Sequence, residues 1–164
     1  MPNSEDNHLH LTSNSNHAQK PRIQFRVEGL PPNQKSKPSI WSDVVQSLSV
    51  IELRKQALLA KKNSRVIDVF TSKIRLELEI FAPKNDLDTM GDLDNLLGGV
   101  CDGLQAKPNS PTLKLAEWFS FPENLDVCPD IPIFYNDDKV ITSIEGTKIE
   151  TEKDPYYIIK IFEL

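Results

Sequence analysis

Asp92-Leu93-Asp94-Asn95 sets two carboxylates one residue apart at the mouth of an apolar segment, and Asn136-Asp137-Asp138 adds a second acidic group about forty residues later. Unpaired buried carboxylates are costly, so such a pair makes a poor core. It makes a good seat for Mg²⁺, a hard ion that takes oxygen ligands and keeps several waters for chemistry. A carboxylate from a distant turn would complete the seat, and the pattern points to metal-assisted phosphodiester hydrolysis. The plainer reading is that the acids merely complement a helix dipole. That accounts for one or two acids, but not for Asn95, the apolar face that begins at once, or the pair at 137–138 directly before a strand.

Other chemistries find little support. Asp86-Leu87-Asp88-Thr89-Met90-Gly91 starts like a calcium loop, but Met90 and Leu97 fall where oxygen ligands are required. No GxxxxGK[ST] loop is present. His8, His10 and His17 all lie near the N-terminus, which leaves no Ser-His-Asp arrangement. Cys101 and Cys128 have neither CxxC spacing nor a nearby His, and are expected to be buried free thiols.

The elements that must position the acids are legible from periodicity. Residues 1–20, rich in Asn, Ser and His, are expected to be a disordered tail. Gln24–Glu28 alternates as a first strand, ended by Gly29-Leu30-Pro31-Pro32-Asn33. Ser42 is the expected cap of a helix running to about Lys62, with Val45, Leu48, Ile51, Leu53, Leu58 and Leu59 as its apolar stripe. Ile74–Ile80 is the cleanest strand, ended by Pro83 and an acidic loop at 86–91. The acidic motif then opens a helix with Leu93, Leu96, Leu97, Val100 and Leu104 at helical spacing. Residues 105–133, with five prolines, read as an irregular insertion around a short helix near Leu113–Phe119. Trp118, Phe119 and Phe121 there are expected to pack that insertion on the core rather than to stack on bases. Strands at 139–150 and 156–163 follow, the last as an edge or partner strand.

The net charge of −5 is unevenly spread. Residues 20–84 carry 13 Lys+Arg against 6 Asp+Glu, a local +7, whereas residues 85–164 carry 6 against 16, a local −10. A basic pole that holds phosphates beside an acidic pole that holds metal suits a nuclease. Lys35, Lys37, Arg54 and Lys55 are the expected DNA contacts. No run approaches eighteen apolar residues and no signal-type block opens the chain, so a cytoplasmic protein without a membrane span is expected.

Three blocks together resemble one family. Asp92-Leu93-Asp94-Asn95-Leu96 followed by Asp102-Gly103-Leu104 resembles the DLDN…DAL helix of the RusA-type Holliday junction resolvases. Asn136-Asp137-Asp138-Lys139-Val140 is similar to that family's acidic pair, and Gly29-Leu30-Pro31-Pro32-Asn33 to its opening strand and Pro-Pro loop. The resemblance covers roughly residues 23–163. It implies a small α+β domain at 21–164, with a mixed sheet packed against two main helices, forming a homodimer that nicks four-way DNA junctions with Mg²⁺ in recombination and repair. It implies Asp92, Asp94 and Asp138 as catalytic metal-binding acids, Asp137 beside them and Asn95 in support. Gly98 stands where the family has a lysine four residues after the second Asp. That leaves the charge growing on phosphate to the metal or to a cation such as Lys139. The alternative is a nucleic-acid-binding protein on the same fold with impaired cleavage.

Overall fold

A computed structural model describes residues 19–35, 39–107 and 111–164. Most of the expected tail, with its three histidines, and also Lys37, lie outside the described residues. Of the expected tail, Gln19 is described, and its Nε2 donates to the Glu163 carbonyl at 2.9 Å.

Alternation builds the strands. In β1 (Ile23–Glu28), Ile23, Phe25 and Val27 are buried and the intervening residues exposed. In β2 (Ile74–Ala82), Ile74, Leu76, Leu78, Ile80 and Ala82 face the core. With β3 (Ile141–Glu150) and β4 (Tyr156–Glu163) they form a four-stranded mixed sheet in the order β1-β4-β2-β3. β4 runs antiparallel to both neighbours, and β2 pairs with β3 in parallel. The expectation of β4 as an edge strand is therefore corrected. Apolar side chains on both of its faces, Tyr157, Ile159 and Ile161 inward and Ile158 and Phe162 outward, suit a central strand; β3, with Ser143, Glu145 and Thr147, takes the edge.

Two main helices cover one face. α1 (Val44–Asn63) is capped by Asp43 rather than Ser42: the Asp43 carboxylate accepts from the Val45 and Gln46 amides at 3.0 and 2.7 Å. Ser42 donates instead to the Lys114 carbonyl. The buried face of α1 is Ser47, Val50, Ile51, Leu53, Arg54 and Ala57, while Val45, Leu48 and Leu59 are 68%, 47% and 52% exposed. Of the expected stripe Ile51 and Leu53 are buried; the rest departs because α1 is packed on two sides. Leu53 and Ala57 join the sheet core, whereas Val50 and Ile51 join a second cluster with Trp41, Phe119 and Val127.

The parallel β2–β3 pairing demands a long crossover. It consists of a short α2 (Lys84–Thr89) in place of the expected acidic loop, then α3 (Leu93–Leu104), then the proline-rich insertion with 3-10 turns at Glu117–Ser120 and Pro122–Val127. Phe119 is buried against Trp41 with ring centroids 5.8 Å apart, and Trp118 Nε1 donates to the Val44 carbonyl at 2.9 Å, so these two aromatics anchor the insertion on α1. The result is a small α+β domain whose crossover lays α3 along β3. Among the described residues no helix is long and apolar enough to cross a membrane.

Candidate active site

The two ends of α3 are built differently. At its C-terminal end the last carbonyls of a helix lack intrahelical partners, and here they are taken up. Tyr135 Oη donates to the Cys101 carbonyl at 2.9 Å, the Ile133 amide to Leu104 at 3.0 Å, and Arg54 Nη1 to Gly103 and Gln105 at 2.9 Å each. Arg54 also donates to the carbonyls of Val127, Cys128 and Ile131 in the insertion. It is fully buried, and burial pulls its guanidinium down to about 10, so it stays charged at neutral pH. Arg54 is thus corrected: every donor direction is turned inward onto backbone, and no phosphate reaches it.

The N-terminal end is left open. Asp92 occupies the cap position, but its side chain makes no cap hydrogen bond and meets Lys35 Nζ at 3.3 Å, both side chains being largely exposed. Such a surface pair is weak and screened by salt. The turn before it is held from beneath, where Lys148 Nζ donates to the carbonyls of Leu87 and Gly91 at 3.1 and 2.6 Å. The Pro32–Gln34 loop crosses α3 at its two glycines. A Cβ on Gly99 would overlap the Pro32 carbonyl, and one on Gly98 the Gln34 side-chain carboxamide, while the Gln34 backbone N–H donates to the Asn95 carbonyl at 3.0 Å. The glycine pair is there for close approach.

Asp94, Gly98 and Asp102 are spaced four residues apart and form one stripe on α3. With Asp138, at the 3-10 turn Asp138–Val140 that leads into β3, they line a cleft of about 350 Å³. Gln34, Leu97, Cys101, Ile141 and Ile144 complete its walls. The structure thereby brings Asp94 and Asp138 together and adds Asp102. Gln34 Nε2 donates to Asp102 Oδ2 at 3.0 Å. Burial pushes the Asp102 carboxyl up, the Gln34 bond opposes this, and the charge of Asp138 adds to the rise. Burial pushes the Cys101 thiol up to about 12, which keeps it protonated and inert.

Asp92 and Asp137 do not line this cleft. Asp137 caps its turn, accepting from the Lys139 amide at 3.0 Å and pairing with Lys139 Nζ at 3.2 Å; these contacts hold its carboxyl below the usual range. Lys55 is half-buried beside Glu123 and Asp126, in another groove. Asp102 was missed as a site residue although its signal was present in the sequence, two helical turns after Asp94.

The donor set fits a magnesium ion in one respect. Asp94 and Asp138 are exposed carboxylates on one cleft, and Mg²⁺ is commonly held by one or two carboxylates with waters and substrate phosphates completing its shell. A closed cage does not form: among the described residues no group of three or more His, Cys, Asp or Glu side chains is placed to hold an ion. No protein-family model and no curated protein gives a match to this chain.

Proposed function

We propose that the protein is a Mg²⁺-dependent, structure-selective DNA endonuclease of the RusA resolvase kind, acting on four-way junctions in recombination and repair. The observation that carries the reading is the cleft itself. Asp94 and Asp138 come from separate motifs and from opposite ends of the crossover, yet line one solvent-open surface. In this reading they hold the ion, which when bound polarises the scissile phosphate and lowers the pKa of an attacking water. The chain's own parts do the rest. The Gln34 side-chain amide orients Asp102 at the cleft wall, where burial pushes its carboxyl up. Two paired nicks need two sites, so the reading includes a homodimer, and with it a cytoplasmic location.

One observation favours the second reading, a junction-binding protein with impaired cleavage. The Gln34 amide lies over Gly98, where the resemblance calls for a lysine, and among the described residues no cation lines the cleft. A cleavage assay on a synthetic four-way junction separates the two. The enzyme reading expects Mg²⁺-dependent nicking that Asp94→Asn and Asp138→Asn each abolish without weakening binding. Binding without nicking by the unaltered protein supports the second reading, and full cleavage by both variants would sink the site.

A further inference from the structure

The strand register gathers five unengaged cations at one end of the sheet. Ile74 at the head of β2 pairs with Ile141 at the head of β3 and with Glu163 at the foot of β4, and Ile23 at the head of β1 pairs with Ile161. Lys73 therefore sits at this end, and its carbonyl accepts from the Leu164 amide at 2.9 Å. Lys20 and Arg22 precede β1 and share a cleft with Ser64 and Glu163, which brings in the end of α1 with Lys62 and Arg65. All five cations are exposed, and none makes a side-chain hydrogen bond or ion pair among the described residues. Arg65 holds a φ of 57°, a left-handed conformation uncommon for a residue other than Gly, Asn or Asp. The acids among them are Asp68, the Glu123 and Asp126 that share a groove with Lys62, and Glu163, whose carboxylate accepts from Ser72 at 2.9 Å.

The opposite end has the reverse character. β2 runs out into α2 with Asp86 and Asp88, and the β3–β4 turn carries Glu150, Glu152 and Asp154, against Lys84 and Lys153. The polarity of the molecule thus lies along the strand axis, and the cleft acid Asp138, just before β3, stands at the edge of the basic end.

We infer that this basic end is the surface that holds the phosphates of a DNA arm leaving the cleft. The inference rests on the nuclease reading and names where its substrate lies. From β3 to β1 is three strand spacings, roughly 14 Å. A DNA strand advances about 3.4 Å along its axis per phosphate, so the rim spans about four phosphates. Exposed cations with no partner of their own suit this role, because nothing must be broken before a phosphate is bound.

The test is junction binding by the full chain, followed by fluorescence anisotropy across a salt series. The variant Lys20→Ala/Arg22→Ala/Arg65→Ala/Lys73→Ala is expected to bind at least about tenfold more weakly at moderate salt. Its slope of log affinity against log salt should be shallower by about three to four. Lys84→Ala/Lys153→Ala, which removes cations from the other end, should leave affinity and slope nearly unchanged. Should the fourfold variant fail to fold, Lys73→Ala alone is expected to reduce the slope by about one. Unaltered slopes in the rim variants, with tight binding by the unaltered protein, would refute the rim and leave the nuclease reading standing. Absence of any junction or duplex binding by the unaltered protein would overturn both.

Discussion

The two ends of α3 carry charge in opposite ways. At the C-terminal end the charged group is Arg54, fully buried, with five carbonyls around it. At the N-terminal end the charged groups are Asp92 and Asp94, exposed, with the helix cap left unmade. A buried cation fully satisfied by backbone oxygen fixes geometry, since its planar donor fork fits only one arrangement of acceptors. Asp94, exposed and without a partner among the described residues, fixes nothing and stays available to a ligand, and Asp92 has only a surface pair with Lys35. The helix is held by one end so that the other can present acids.

This contrast is sharpest in stability. Arg54→Met removes the donors from five carbonyls at once and is expected to cost on the order of 3–5 kcal/mol by urea unfolding, because buried acceptors left unpaired are expensive. Arg54→Lys should recover little of that, since a single ammonium cannot reach two segments at once. A loss below about 1 kcal/mol for Arg54→Met would show that the C-terminal end is not locked in this way.

Asp102, on the cleft stripe but half-buried, lies between the two regimes and should betray itself in pH dependence. Its folded-state pKa is raised, so the stability tied to its protonated form is full at low pH and is lost as pH rises through that value. Asp102→Asn should therefore raise the melting temperature near neutral pH, with the gain disappearing as the solution is acidified through the carboxylate range. A variant less stable than the parent at neutral pH would mean that the Gln34 contact outweighs the burial of charge.

The smallest effect belongs to Asp92. A capping Asp usually costs about 1 kcal/mol when replaced by Ala. Here the side chain makes no cap bond, so Asp92→Ala should fall within about 0.5 kcal/mol of the parent. A larger loss would mean that this end is closed in solution.

The same contrast separates what the sequence reveals from what it hides. α3 was legible because its far side faces the cleft, so Leu96, Val100 and Leu104 stand out as its buried face. α1 was not, because a helix packed between a sheet and an insertion buries two sides rather than one stripe, and Ser47 and Arg54 read as surface when they are core. The strands were clear from alternation, but their order was not: a two-residue period marks faces and says nothing of neighbours. All four acids, Asp92, Asp94, Asp137 and Asp138, stand out in the sequence, but not which of them share a cleft: Asp94 and Asp138 do, while Asp92 and Asp137 turn to Lys35 and Lys139. Charge summed along the chain placed the basic pole in a segment; only the register shows that five unengaged cations from separate segments meet at one end of the sheet.

The central claim, that Asp94 and Asp138 serve one site, is tested most directly by a double-mutant cycle on single-turnover junction cleavage in Mg²⁺. Conservative Asp→Glu replacements leave residual rates that can be measured. Groups that act as a unit are strongly non-additive, so the double variant Asp94→Glu/Asp138→Glu is expected to cleave about as slowly as the slower single variant. Losses that multiply independently would contradict the account, for they would mean that the two acids lie on one cleft without sharing its chemistry.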